Sequence, residues 1–128
     1  GDYYNDGKYR LALDEFTTAI RLNPNYTYAY WYRGYAYYEL GQYQRAIEDF
    51  DEAIQLDPDY ALAYSIRGSA YYCLGQYQRA VEDLDKAIQL DPTHYRDYYV
   101  RGAAYSDLGE HQRADQDFDK AGELDPDN

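Results

Sequence analysis

Few side chains in this sequence could do covalent or acid–base chemistry, and they are scattered. His94 and His111 are the two histidines, Cys73 is the single cysteine, and carboxylates come in runs such as EDFDE at 48–52 and EDLDK at 82–86. No His-x-x-x-His or Cys-x-x-Cys spacing occurs and no glycine-rich phosphate loop precedes a helix, so neither metal nor cofactor is expected. The acidic runs alternate around Phe50 and Leu84, which places them on a solvated helix face rather than in one perturbed pocket. No catalytic residue is assigned, and the chain is not expected to be an enzyme. One thiol cannot close an internal disulfide, which fits a reducing, cytoplasmic setting.

The chemistry that does recur is ionic. Arg33, Arg67 and Arg101 each stand just before a glycine, and Asp49, Asp83 and Asp117 recur at one matching phase downstream. A guanidinium near a contact between helices needs a carboxylate, so a ladder of partly buried Arg–Asp pairs is expected. The alternative is that these arginines project into a groove and clamp an acidic ligand.

The elements that must position these groups follow from a period. LGQYQRAIEDFDEAIQLDP at 40–58 returns as LGQYQRAVEDLDKAIQLDP at 74–92, and the four prolines stand at 24, 58, 92 and 126, always 34 residues apart. Each proline ends an apolar-periodic stretch, as a ring without an N–H must. Asn25, Asp59 and Thr93 follow as N-cap candidates. Gly41, Gly75 and Gly109 each follow a leucine, the arrangement that ends a helix in a left-handed glycine. Each period is therefore two helices and two turns, with first helices near 27–40, 61–74 and 95–108 and second helices near 9–22, 43–56, 77–90 and 111–123. Gly34, Gly68 and Gly102 fall in mid-helix, where glycine costs about 1 kcal/mol against alanine, so a close backbone approach is expected there, with Ala46, Ala80 and Ala114 as partners. Rows such as Tyr30/Tyr64/Tyr98, Tyr37/Tyr71/Tyr105 and Phe16/Phe50/Leu84/Phe118 fill the core.

On these residues the chain resembles the tetratricopeptide repeat family, whose unit carries an aromatic, Gly, Tyr, Ala, an aromatic, Ala and Pro in fixed order. Residues 27–60 supply them as Tyr30, Gly34, Tyr37, Ala46, Phe50, Ala53 and Pro58. Residues 61–94 and 95–128 match similarly, and 1–26 keep the latter part of a fourth unit, giving one domain over 1–128. The resemblance implies an all-α, right-handed superhelical solenoid of antiparallel helix pairs. It also implies a binding scaffold whose first helices line a concave groove for a peptide or protein segment.

Transferred onto this sequence, the groove positions are Tyr28, Trp31, Tyr35, Tyr38, Leu62, Ser65, Ser69, Tyr72, Arg96 and Tyr99, with Cys73 at the margin. Tyr28, Trp31 and Tyr35 belong to one repeat, and they read either as an aromatic patch of the kind common at binding hot spots or as crowding at a truncated end. Some relatives grip the C-terminal carboxylates of heat-shock chaperones through basic residues and asparagines. The corresponding positions here are Trp31, Tyr35, Ile66, Arg96 and Val100, of which only Arg96 fits, so an apolar or aromatic anchor is the better expectation for the ligand.

Charge narrows the partners. The 128 residues carry a net charge of -12 with 45% hydrophobic content, which repels nucleic acid and anionic membrane and favours basic or neutral polypeptide. No apolar run approaches a membrane span. His111, Asp115 and Gly122 replace aromatic or apolar residues of earlier units, the pattern of a terminal capping repeat or of simple drift. No methionine occurs and the pattern is under way at Gly1, so the chain is expected to be a piece of a longer protein. The competing function is a structural spacer or self-association segment, stacking end to end through an exposed first helix that includes Tyr3 and Tyr4.

Overall fold

A computed structural model describes the backbone of residues 3–127 and the side chains of residues 5–127; Tyr3 and Tyr4, expected above at an exposed end, lie outside the described side chains. Seven helices follow one another, with no strand among the described residues: α1 (Tyr3–Leu22), α2 (Thr27–Glu39), α3 (Tyr43–Leu56), α4 (Ala61–Cys73), α5 (Tyr77–Leu90), α6 (Tyr95–Asp107) and α7 (His111–Leu124). Each packs on its successor, and the first helices also touch along the array, α2 on α4 and α4 on α6. The result is an all-α solenoid with one core cluster around Ala46, Phe50, Ala53 and Ala63 and a second around Ala80, Val81 and Ala104.

Glycine ends the first helices as the sequence requires. Gly41, Gly75 and Gly109 have φ of 78°, 77° and 82°. At the first of them Gly41 N–H donates to Tyr38 O at 3.0 Å and Gln42 N–H to Tyr37 O at 2.9 Å. That bond pair satisfies carbonyls the helix leaves free, in a conformation that a Cβ would disfavour. Gly7 has the same phase but lies inside α1, which runs unbroken through it. The expected start of the first second-type helix near residue 9 is thereby corrected.

The expected N-caps are also corrected. Asn25, Asp59 and Thr93 donate rather than accept: their backbone N–H groups bond to Asn23, Asp57 and Asp91 Oδ1 at 3.2, 3.1 and 3.1 Å. The residue before each proline thus builds an Asx turn around it. The helices start one residue later, on Tyr26, Tyr60 and His94, none of which makes a side-chain cap bond. A second tie secures each turn. Tyr30, Tyr64 and Tyr98 hydroxyls donate to the carbonyls of Pro24, Pro58 and Pro92 at 3.0, 2.9 and 3.0 Å.

Close approach governs the hairpins. A Cβ on Gly34 would lie 2.8 Å from Phe50 Cε1, one on Gly68 2.9 Å from Leu84 Cγ, and one on Gly102 2.9 Å from Phe118 Cε1. The tightest neighbour is thus the Phe50/Leu84/Phe118 row. Two of the expected alanine partners lie farther off, through the carbonyls of Ala80 and Ala114 at 3.3 and 3.2 Å, while the three nearest atoms at Gly34 all belong to Phe50 and none to Ala46. Phe50 and Leu84 are fully buried, each contributing about 2–3 kcal/mol of transfer free energy.

Across this core runs the ionic ladder. Arg33, Arg67 and Arg101 each donate through Nε and Nη2 to both oxygens of Asp49, Asp83 and Asp117, at 2.7–2.9 Å. The guanidiniums therefore do not project free into a groove. Their remaining nitrogen reaches the preceding unit: Arg67 Nη1 donates to Asp51 at 2.8 Å, Arg101 Nη1 to Asp85 at 2.9 Å, and Arg33 Nη1 to Thr17 Oγ1 at 3.3 Å. Each arginine is thus a staple between consecutive repeats as well as within one. Burial pushes Asp49 and Asp83 above the ordinary carboxylate range, while the guanidinium bonds pull the other way.

Candidate functional site

Three first helices side by side expose one face, and two adjoining recesses open on it. The first, about 400 Å³, is lined by Trp31 and Tyr35 of α2, Leu62, Ser65 and Ile66 of α4, and His94, Tyr95 and Arg96 at the start of α6. The second, about 390 Å³, adds Tyr38, Glu39, Ser69, Tyr99 and Val100. Tyr35, Ser65, Ile66 and Arg96 belong to both. Helical spacing explains the grouping: Trp31, Tyr35 and Tyr38 are i, i+4 and i+7, one stripe of α2.

The aromatic wall is ordered by stacking. The Trp31 and Tyr35 rings lie 5.4 Å apart with an interplanar angle of 6°, and Tyr60 stacks at 6.2 Å and 16° on Trp31. Such offset arrangements hold the rings rigid. The indole N–H is buried and donates to no acceptor among the described residues. Burial, and then Glu39, push the Tyr35 hydroxyl up to about 12, and burial does the same to Tyr38, also to about 12. Both phenols therefore stay protonated donors at neutral pH.

Arg96 is the cation of this face. It is exposed and makes no ion pair among the described residues, in contrast to the stapled arginines. Its charge acts on the Tyr35 hydroxyl, and Glu39 lines the neighbouring recess.

The remaining expected groove residues are placed differently. Ser65 points inward: its hydroxyl donates to Asp97, and Ser69 donates to the Ser65 carbonyl at 3.2 Å. Each hydroxyl thus spends its proton on an internal acceptor, although both serines line the recesses. Tyr28 and Tyr72 line neither recess. Tyr28 pairs its hydroxyl with Tyr32 at 2.8 Å in a cluster that continues to Phe16, and Tyr72 donates to Asp107 at 2.9 Å. Cys73 is exposed beside the Tyr43 hydroxyl, outside both recesses. Asp97 was missed. It is 2% exposed, at the phase of Ala29 and Ala63, which are fully buried, and burial raises its pKa against the pull of Ser65 and His94. The break in that alanine row was the signal that could have found it. Among the described residues no group of three or more His, Cys, Asp or Glu side chains could hold a metal ion, and no helix is long and apolar enough to cross a membrane.

Comparison with known proteins agrees with this architecture. Tetratricopeptide repeat models match residues 2–61, 61–94 and 95–128. Among curated proteins none matches. Similar solved structures include a crystal structure of MamA, 30% identical, with TM-score 0.85, covering 95% of this chain and 71% of that one. Another is MamA 41-end from Desulfovibrio magneticus RS-1, 28% identical, with TM-score 0.84, covering 92% and 67%. The second tetratricopeptide repeat domain of Spaghetti (RPAP3), bound to the HSP90 peptide SRMEEVD, is 32% identical, with TM-score 0.75, covering 77% of this chain and 92% of that one.

Proposed function

The chain belongs to the tetratricopeptide repeat family, whose fold is an interaction scaffold, and from that premise we propose that its groove holds an extended segment of another protein. The observation that carries the proposal is the stacked Trp31–Tyr35 wall with an unpaired Arg96 beside the same recess. A flat, rigid aromatic surface accepts an apolar or aromatic side chain at low entropic cost. Arg96 then donates to carbonyl or carboxylate oxygens of the segment, a charge-assisted bond that fixes register. The RPAP3 domain was solved with a peptide bound, which supports a peptide as the ligand class. The positions held here by Trp31, Tyr35, Ile66 and Val100 are aromatic or aliphatic, so this groove selects an apolar anchor rather than a run of acidic side chains.

With two recesses near 400 Å³, one short motif is expected to bind at about micromolar strength, close to 8 kcal/mol. Selection from a displayed random peptide library tests the reading. Enriched peptides should share an aromatic or aliphatic anchor and lose at least tenfold in affinity against Trp31→Ala and Arg96→Ala. Failure to enrich any peptide, or enrichment indifferent to both substitutions, sinks it.

A further inference from the structure

The last full unit buries a carboxylate where the others do without one. Asp97 is 2% exposed, at the phase that Ala29 and Ala63 fill elsewhere, and a buried carboxylate costs stability that an alanine does not. What Asp97 gains is a proton, because the Ser65 hydroxyl donates to it. Ser69, one turn further along α4, donates to the Ser65 carbonyl at 3.2 Å. A hydroxyl has one proton and two lone pairs, so toward the recesses they line both serines can only accept. The phase of Ser65 is held by Trp31 in α2 and Tyr99 in α6, so the small serine leaves room between two aromatic side chains. Charge points the same way. Glu39 lines the second recess with Ser65 and Ser69, is exposed and makes no ion pair among the described residues. Nor do α2, α4 and α6 carry a basic residue in their last turns, so no cation of their own offsets the negative ends of these helices.

We propose that the second recess takes a lysine side chain of the bound segment, its ammonium donating to the Ser65 and Ser69 hydroxyl oxygens and to the Glu39 carboxylate. This rests on the groove holding an extended segment and adds what that segment must carry. An ammonium has three donors and no acceptor, and the recess meets it with three oxygen acceptors. Asp97 is a positioning residue: by holding the Ser65 proton it keeps the lone pairs of that hydroxyl turned to the recess. Arg96, in the first turn of α6, still grips a carbonyl or carboxylate oxygen of the segment. The groove thus reads an aromatic or aliphatic anchor with a lysine at a fixed offset. The net charge of -12 draws such a segment in.

The test selects a displayed random peptide library in parallel on the native protein and on Glu39→Gln, an exposed substitution that should fold. The native pool should fix lysine at one offset from the anchor, and the variant pool should keep the anchor and lose the lysine. The consensus peptide is then synthesised with lysine, glutamine or norleucine at that offset and titrated by Trp31 emission. On the native protein norleucine should weaken binding at least tenfold and glutamine at least threefold. On Ser65→Ala and on Asp97→Ala the preference for lysine over norleucine should fall below threefold, while the norleucine peptide keeps its native affinity within twofold. Damage to the groove as a whole would weaken both peptides alike. A pool with the anchor but no lysine, a pool that fixes glutamine or an acidic residue, or a lysine preference unchanged in the variants overturns this proposal and leaves the groove standing. Failure to enrich any peptide on the native protein overturns both.

Discussion

Removing Arg67 probes the middle rung of the ladder. The Arg67 and Asp83 side chains are 18% and 9% exposed and meet through two bonds of 2.8 and 2.7 Å. Arg67→Met keeps most of the apolar stem but strands the Asp83 carboxylate, which should cost about 3–4 kcal/mol. Asp83→Asn keeps one acceptor and should cost about 2 kcal/mol. In the double variant neither charge is stranded, so its loss should fall about 2 kcal/mol short of the sum. Asp51, the third-nitrogen partner, is 55% exposed, and Asp51→Asn should cost at most about 0.5 kcal/mol. Urea unfolding followed by far-ultraviolet circular dichroism reads all four. With a slope of about 2 kcal/mol per molar, Arg67→Met moves the midpoint by roughly 1.5–2 M. Additive losses, or a cost for Arg67→Met below about 1 kcal/mol, would show that the pair does not join the hairpin.

Other substitutions test the packing and the buried acid. Gly68→Ala places a Cβ 2.9 Å from Leu84 Cγ and 3.3 Å from the Ala80 carbonyl; overpacking outweighs the helix-propensity gain, and the urea midpoint should drop by an amount equal to about 1–2 kcal/mol. Tyr64→Phe removes the 2.9 Å bond to the Pro58 carbonyl and should cost about 1 kcal/mol in the same assay. Asp97, with His94, Asp91 and Arg101 as its charged neighbours, has a folded pKa raised by burial above 3.8. A raised carboxylate stabilises the fold below its unfolded pKa, and that contribution is lost as pH rises through the folded value. Asp97→Ala strands the Ser65 hydroxyl at every pH but also removes a carboxylate whose buried charge costs stability at neutral pH, so its effect on the melting temperature should be less unfavourable at pH 7 than in acid, where Asp97 is neutral. An effect of equal size at both pH values contradicts the assignment.

Period and punctuation made much of the fold legible. Pro58 with Asp57 and Gly75 with Leu74 bound α4 almost to the residue, because a missing N–H and a positive φ act locally. What depends on a distant neighbour was not legible. Gly7 has the phase of Gly41 yet lies inside α1. Asp51 and Asp85 sit in acidic runs that read as solvated, and only the arrangement of consecutive repeats shows them stapled to Arg67 and Arg101. In the groove, phase places Trp31 and Tyr35 on α2 and Arg96 on α6, the first helices that flank α4. Phase says nothing of hydroxyl direction, so Ser65 turning to Asp97 and Tyr72 reaching Asp107 escaped it.

Trp31 is the single tryptophan, so its emission reports on the proposed groove without a label. A selected peptide titrated into the protein should shift that emission and shield it from acrylamide with one saturating dissociation constant, and Arg96→Ala should abolish the change. Saturable binding that leaves Trp31 emission and quenching untouched would place the ligand elsewhere and contradict the groove.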